Sequence, residues 1–215
     1  MRFNITDNVI VRALSKICDM VCLNILWLIC CIPVITAGAS TTALYTVMLK
    51  MVRNEEGYIF RGFFKAFRSN FRQSTVIWLI LLLLSIICGI DYRVAGMMPG
   101  TAGMVMRSIF ILFGFFVLSV TIYAFPLTAR YENSIRATLR NALLLTVAKL
   151  PYTFLMAAVT VGAVIASVWN SVTLMFAIPL WFLIGGSLIA WINSWLLRRV
   201  FMIFEDNDDN AGNEG

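Results

Sequence analysis

The sequence predicts an all-α fold, a polytopic transmembrane helical bundle of about six spans, or five if the shortest does not cross. Three observations carry this. Of 215 residues, 60% are hydrophobic and 13% charged, with a mean hydropathy of +0.87. Soluble domains average about 45–50% apolar and about 25% charged residues, and a soluble fold of this size has no interior large enough to hide the excess. Unalternating runs such as VIWLILLLLSIICGI lack the two-residue alternation of an outer-membrane barrel strand. Finally, the basic residues segregate. With six spans, 15 of the 17 Lys and Arg fall on one side, leaving only Arg93 and Arg107 opposite.

The predicted spans are Ile17–Val34, Ala39–Met51, Thr75–Gly89, Met104–Phe125, Tyr152–Trp169 and Val172–Leu197. The start has basic residues, an apolar run and then AGA, as an export signal does. Its apolar run exceeds the usual 7–15 residues and more spans follow, so it reads as an uncleaved first span. The stretch CIPVITAGASTTALY then gathers Pro33, Gly38, Ser40, Thr41 and Thr42. Either it turns the chain at the outer surface, or it is a broken helix lining a cavity. In the turn reading Pro33 ends the first helix, Gly38 permits the turn and Ser40 caps the next helix. Span Ala39–Met51 reaches only about 20 Å at about 1.5 Å per residue, short of a hydrocarbon core of about 30 Å. Lys50 and Arg53 offset part of the shortfall by snorkelling. If this segment does not cross, the basic residues divide 12 against 5, so six spans with both termini cytoplasmic satisfy the positive-inside rule better.

The loops follow from the same rule. FRGFFKAFRSNFR places Phe60, Phe63, Phe64, Phe67 and Phe71 on one helical stripe and Arg61, Lys65, Arg68 and Arg72 on another. That pattern predicts an amphipathic cytoplasmic elbow helix, resting at the lipid interface or docking a soluble partner. A second basic elbow carries Arg136 and Arg140, with Glu132 and Arg136 spaced as a helical pair. Residues 60–65 and 135–140 match in residue type, a short echo between the two elbows. The formal charge of +6 follows from loops facing anionic lipid and implies no nucleic acid.

Within the spans, ionisable residues are nearly absent. Asp19 lies three residues from Lys16, which suits a surface pair, and Asp91 and Arg93 fall at an outer end. Asn24, Asn170 and Asn193 read as interhelical hydrogen-bond partners. Gly162 and Ala166, and Gly186, Ala190 and Ser194, recur at four-residue spacing and suit close helix packing. Pro179 predicts a kink in the last span. Trp191 and Trp195 anchor that span's cytoplasmic end beside Arg198 and Arg199. Residues 1–204 form one transmembrane domain. The acidic tail 205–215 has too little apolar surface to fold and is expected to be disordered. It opens with the spacing of a calcium loop, but Ala211 stands where glycine is needed and the closing glutamate is missing.

Catalytic apparatus is missing from the sequence. There is no histidine, no paired carboxylate within a span and no phosphate-binding glycine loop. The five cysteines, Cys18, Cys22, Cys30, Cys31 and Cys88, fall within apolar segments. Cys18 and Cys22 share a helix face but have no further ligand nearby. No enzyme, metal or cofactor is expected.

The blocks GASTTALYTVMLKMVRNEEGYIFRGFFKAFRSNFRQSTVIWL and FPLTARYENSIRATLRNALLLTVAKLP resemble the YesL-like family of bacterial membrane proteins, from Phe3 to about Phe204. That family is a domain of unknown function. The resemblance supplies Ser40, Thr41, Arg61, Phe64, Asn70, Arg130, Glu132 and Asn141 as motif positions without assigned roles. It implies a bacterial cytoplasmic membrane and a link to carbohydrate-uptake ABC transporters or sugar sensors. The expectation is therefore a non-enzymatic accessory protein, with a small transporter or channel for a neutral sugar as the alternative.

Overall fold

An apolar run free of proline and glycine forms α1 (Val9–Cys31), and Pro33 ends it, since proline lacks the N–H a continuing helix needs. The computed structural model describes residues 9–55 and 57–213. Arg2 and the last two tail residues lie outside them. A 3-10 turn, Val34–Thr36, leads into α2 (Ala37–Val52). The chain continues through α3 (Ile59–Ala95), α4 (Gly100–Arg130), α5 (Ile135–Ala148) and α6 (Leu150–Val168). It ends with α7 (Ser171–Leu180), a π-helical turn (Trp181–Gly185) and α8 (Gly186–Asn213). The last helix thus keeps helical backbone into the acidic segment expected to be disordered; extending a formed helix needs no new nucleus.

Five segments are long and apolar enough to cross a membrane: Leu14–Cys31, Ile59–Ala95, Gly100–Arg130, Leu150–Val168 and Ser171–Phe201. The short second segment is not among them. With 16 residues, α2 is about 24 Å long at about 1.5 Å per residue. It nevertheless passes back between its neighbours. Its N-terminal part meets α3 at Ser74 and Trp78, and its Val47 meets Gly62 near the start of α3. The reason it can be short is burial: Gly38, Ala39, Ser40, Thr42, Ala43, Leu44, Tyr45, Val47, Met48, Leu49 and Met51 are all buried. A helix wrapped by α1, α3, α4 and α8 need not match the hydrocarbon thickness.

The first elbow is not a separate interfacial helix. Nothing between Arg72 and Thr75 breaks a helix, so the basic-aromatic segment and the following span form one helix of 37 residues. The second elbow does separate. Pro151 sits in the first turn of α6 and Lys149 leaves helical geometry at φ −124°, ψ 45°, so α5 and α6 are distinct. Glu132 lies in the linker before α5, whose N-cap is Ser134. The expected helical pair with Arg136 is therefore not formed within one helix.

Candidate functional site

Two regions concentrate polar chemistry: the hydroxyl-rich start of α2, and the end of the bundle that gathers the basic side chains.

At the first, Ser40 does not cap a helix. Helix α2 begins three residues earlier, and Ser40 Oγ donates to Trp27 O on α1 at 2.9 Å. Trp27 Nε1 donates in return to Thr41 Oγ1 at 3.2 Å. Thr42 and Ser74 join α2 to α3 through a 2.8 Å hydroxyl pair. The cap falls to Thr36, whose hydroxyl turns back to Cys30 O (2.6 Å) and Pro33 O (2.8 Å) and so closes the end of α1. Trp78 Nε1 donates to Val34 O at 2.7 Å and ties the turn to α3. Gly38 is no turn residue either. A Cβ there would lie 2.4 Å from Trp78 Cβ and 2.5 Å from Ser74 O, so glycine permits backbone contact between helices. Pro33 is exposed at the turn.

Asparagines couple the remaining helices. Asn24 of α1 is fully buried; its amide donates to Trp181 O (3.0 Å) and Phe182 O (2.8 Å) and accepts from Ser187 N (2.9 Å). The two carbonyls belong to the π-helical turn, which follows Pro179 by two residues, and Ser187 to the first turn of α8. Asn193 of α8 donates to Tyr45 of α2 and Thr160 of α6 at 3.4 and 3.3 Å. Asn170 instead caps α7 in a reciprocal box with Thr173. Tyr123 pairs with Thr153 at 3.1 Å, and Thr153 donates to Thr146 O and Lys149 O across the α5–α6 break. Of the small residues, Gly186 faces the Trp27 ring while Ala190 and Ser194 are buried. Gly162 faces open space and Ala166 is exposed. Cys18 and Cys22 are exposed on α1, and Cys88 donates to Phe110 O at 3.3 Å.

The basic end assembles from six helices, α1, α2, α3, α4, α5 and α8. Lys16 Nζ donates to Asn54 Oδ1 at 2.8 Å and Arg198 Nη1 to Val52 O at 3.4 Å. The early part of α1, the end of α2 and the late part of α8 therefore meet there. Arg61, Lys65, Arg68 and Arg72 join from α3, and Arg136 and Arg140 from α5, all exposed. Gln73 links the two elbows by donating to Asn133 O at 2.8 Å. Arg130 stacks over Tyr131 and Phe201, and Arg199 over Trp195 at 4.2 Å. Arg93 and Arg107 lie toward the opposite end, where Arg107 Nη2 donates to Gly96 O at 2.7 Å.

The aromatic stripe divides. Phe63 is fully buried and Phe67 packs against the core, whereas Phe60, Phe64 and Phe71 are exposed. The division predicts that Phe63→Ala lowers stability by about 3–5 kcal/mol. Phe60→Ala or Phe64→Ala should change it by less than about 1 kcal/mol. Thermal unfolding in detergent checks this, and equal losses for all three would contradict the burial pattern. Helical spacing alone puts these rings on one stripe. A bundle groove has two walls, and only some of the rings face into it.

A bundle whose five longest, most apolar helices expose large aliphatic and aromatic side chains to their surroundings defines the class: a polytopic α-helical membrane protein. Residues 20–92 match a family model described as "Protein of unknown function, DUF624". Over 191 residues the chain is 24% identical to "Uncharacterized protein YesL" of Bacillus subtilis (strain 168), covering 87% of each chain. It is 30% identical over 144 residues to "Uncharacterized protein YteU" of the same organism, covering 65% of this chain and 64% of that one. No solved structure matches. These matches support similarity to a YesL-like family.

Proposed function

We propose that this protein is a non-enzymatic accessory component of carbohydrate uptake or sensing in the bacterial cytoplasmic membrane, with both termini cytoplasmic. It acts by presenting its basic end to a transporter or sensor subunit. One observation carries the reading: side chains from α2, α3, α4, α5 and α8 converge into a single basic face, beside the exposed rings of Phe60, Phe64 and Phe71. Charge and aromatic anchors side by side are what a partner surface uses to steer and then hold. The positive-inside rule puts that face in the cytoplasm. The hydroxyls of Ser40 and Thr42 that a sugar route would use are engaged between helices, which favours an accessory part over a transporter.

Affinity purification of the wild-type chain from cross-linked host membranes tests this. Components of a carbohydrate transporter or sensor should be recovered, and Arg68→Glu with Arg72→Glu should cut recovery at least tenfold at equal expression. Failure to recover such components, or undiminished recovery with the double variant, would sink the reading. Sugar flux by the purified protein in liposomes would replace it with the transporter alternative.

A further inference from the structure

Directly after α2 the chain makes a turn at Arg53, Asn54 and Glu55 that its own backbone bonds fix. Asn54 adopts φ 58°, the left-handed conformation that asparagine tolerates better than most residues. Arg53 N and Glu55 N both donate to Lys50 O at 3.0 Å, so the last turn of α2 is closed and the chain doubles back toward Tyr58. The result is a pair of adjoining hollows sharing Thr46, Lys50 and Glu55. One, about 260 Å³, lies against α3 and takes Arg61 and Lys65 into its wall. The other, about 280 Å³, lies against the end of α4 and takes Arg53 and Arg130.

Among the described lining residues, five basic side chains surround this small concavity with one carboxylate, Glu55, and one of the five, Arg130, also stacks over Tyr131 and Phe201. The charges come from three helices, so the fold converges them on one place, which a run of basic residues along one solvated helix face does not do. A cleft walled by protein focuses such a field and raises the local concentration of the opposite charge. Arg and Lys together suit a phosphate, the one by paired N–H donors and the other as a compact charge. Tyr58 at the start of α3 caps it with no side-chain bond, so first-turn N–H groups beside Arg61 add donors of the same sign. Tyr58 flanks one hollow with an exposed ring, 5.6 Å from the Arg61 guanidinium, the pairing of ring and cation found where headgroups meet acyl chains.

We infer that these hollows form a binding site for a phosphate-bearing anion, the headgroup of an anionic phospholipid or a soluble phosphate compound. The site goes beyond the docking reading: its walls combine α2, α3 and α4 around one concavity, with Arg61 and Lys65 drawn from the exposed row that continues to Arg68 and Arg72.

The test uses the purified full-length protein in nonionic detergent. It is titrated separately with dioleoylphosphatidylglycerol, dioleoylphosphatidylcholine and inorganic phosphate, with unfolding temperature and native mass spectrometry as readouts. Saturable binding of phosphatidylglycerol but not phosphatidylcholine is expected. Lys50→Gln with Arg53→Gln should weaken it at least fivefold, and Arg61→Gln with Lys65→Gln should do the same from the other wall. Arg136→Gln with Arg140→Gln removes equal charge from α5 and should change it less than twofold. Saturation by inorganic phosphate as well would assign the site to a soluble phosphate compound; response to the lipid alone assigns it to the headgroup. Equal losses in the α5 variant would reduce the effect to bulk charge and overturn the site. So would the absence of a saturable response to phosphatidylglycerol and phosphate alike. The unfolding temperature without added probe separates lost binding from lost folding, and the two wall variants are independent should one not fold.

Discussion

Gly38→Ala should destabilise this protein by about 3 kcal/mol or more, at the top of the usual range for overpacking. For a chain of this length that is a fall in unfolding temperature on the order of 10 °C. The new methyl carbon would sit 2.4 Å from Trp78 Cβ and 2.5 Å from Ser74 O. Neither atom can swing away: one is the root of a side chain and the other belongs to the backbone of α3. Relief requires α2 and α3 to move apart, which disturbs the Thr42–Ser74 pair at 2.8 Å and the Trp78–Val34 bond at 2.7 Å. Gly62 and Gly89 provide the contrast. A Cβ at Gly62 meets only Val47 Cγ2 at 3.7 Å, and one at Gly89 meets nothing within 4 Å. Alanine there should be neutral or stabilising by about 0.5–1 kcal/mol, because glycine is the poorer helix former. If Gly38→Ala unfolds at the same temperature as Gly89→Ala in matched detergent, the close approach of α2 and α3 is not what holds the bundle.

Asn24→Ala should remove about 2–4 kcal/mol. One side chain serves three backbone groups, donating to Trp181 O and Phe182 O of the π-helical turn and accepting from Ser187 N in the first turn of α8. A hydrogen bond between membrane helices is worth about 0.6 kcal/mol on average and up to about 1.7, and leaving a buried polar group unpaired costs about 1–3 kcal/mol. Three groups stranded together set the range. Asn24→Asp is the informative companion. It keeps an acceptor for Ser187 but sets a carboxyl group against two carbonyl oxygens. It should recover nothing over alanine at neutral pH. An aspartate variant as stable as the wild type would mean that the two carbonyls do not depend on Asn24.

Much of this architecture was legible because apolar length and charge asymmetry act along the chain. Helical class, the break at Pro33 and the convergence of basic loops all follow from local composition. What was illegible depends on what lies across the bundle. Ser40 and Gly38 read as cap and turn residues because both types favour helix ends; only the presence of Trp27, Ser74 and Trp78 opposite makes them interface residues. Ala39–Met51 looked like a truncated span because its length was compared with a bilayer, whereas its surroundings are other helices. Asn24 stood out as a polar residue within an apolar run, yet nothing near it in sequence pointed to backbone groups more than 150 residues away. The hollow beside Lys50 was missed for the same reason. Its wall residues are scattered over α2, α3 and α4, and the turn at Asn54 that folds them together has no strong sequence signature.

The enclosure of α2 also bears on how the chain is made. Synthesis proceeds from the N-terminus, so α2 leaves the ribosome long before α8. Yet Tyr45 meets Asn193, and Trp27, which α2 holds through Thr41, meets Gly186. Until α8 arrives, one side of the short, hydroxyl-bearing second helix has no native neighbour. A nascent chain halted after α6 would hold that surface open within the membrane, which makes the late helix the closing act of assembly and the half-made protein a natural client for the insertion machinery.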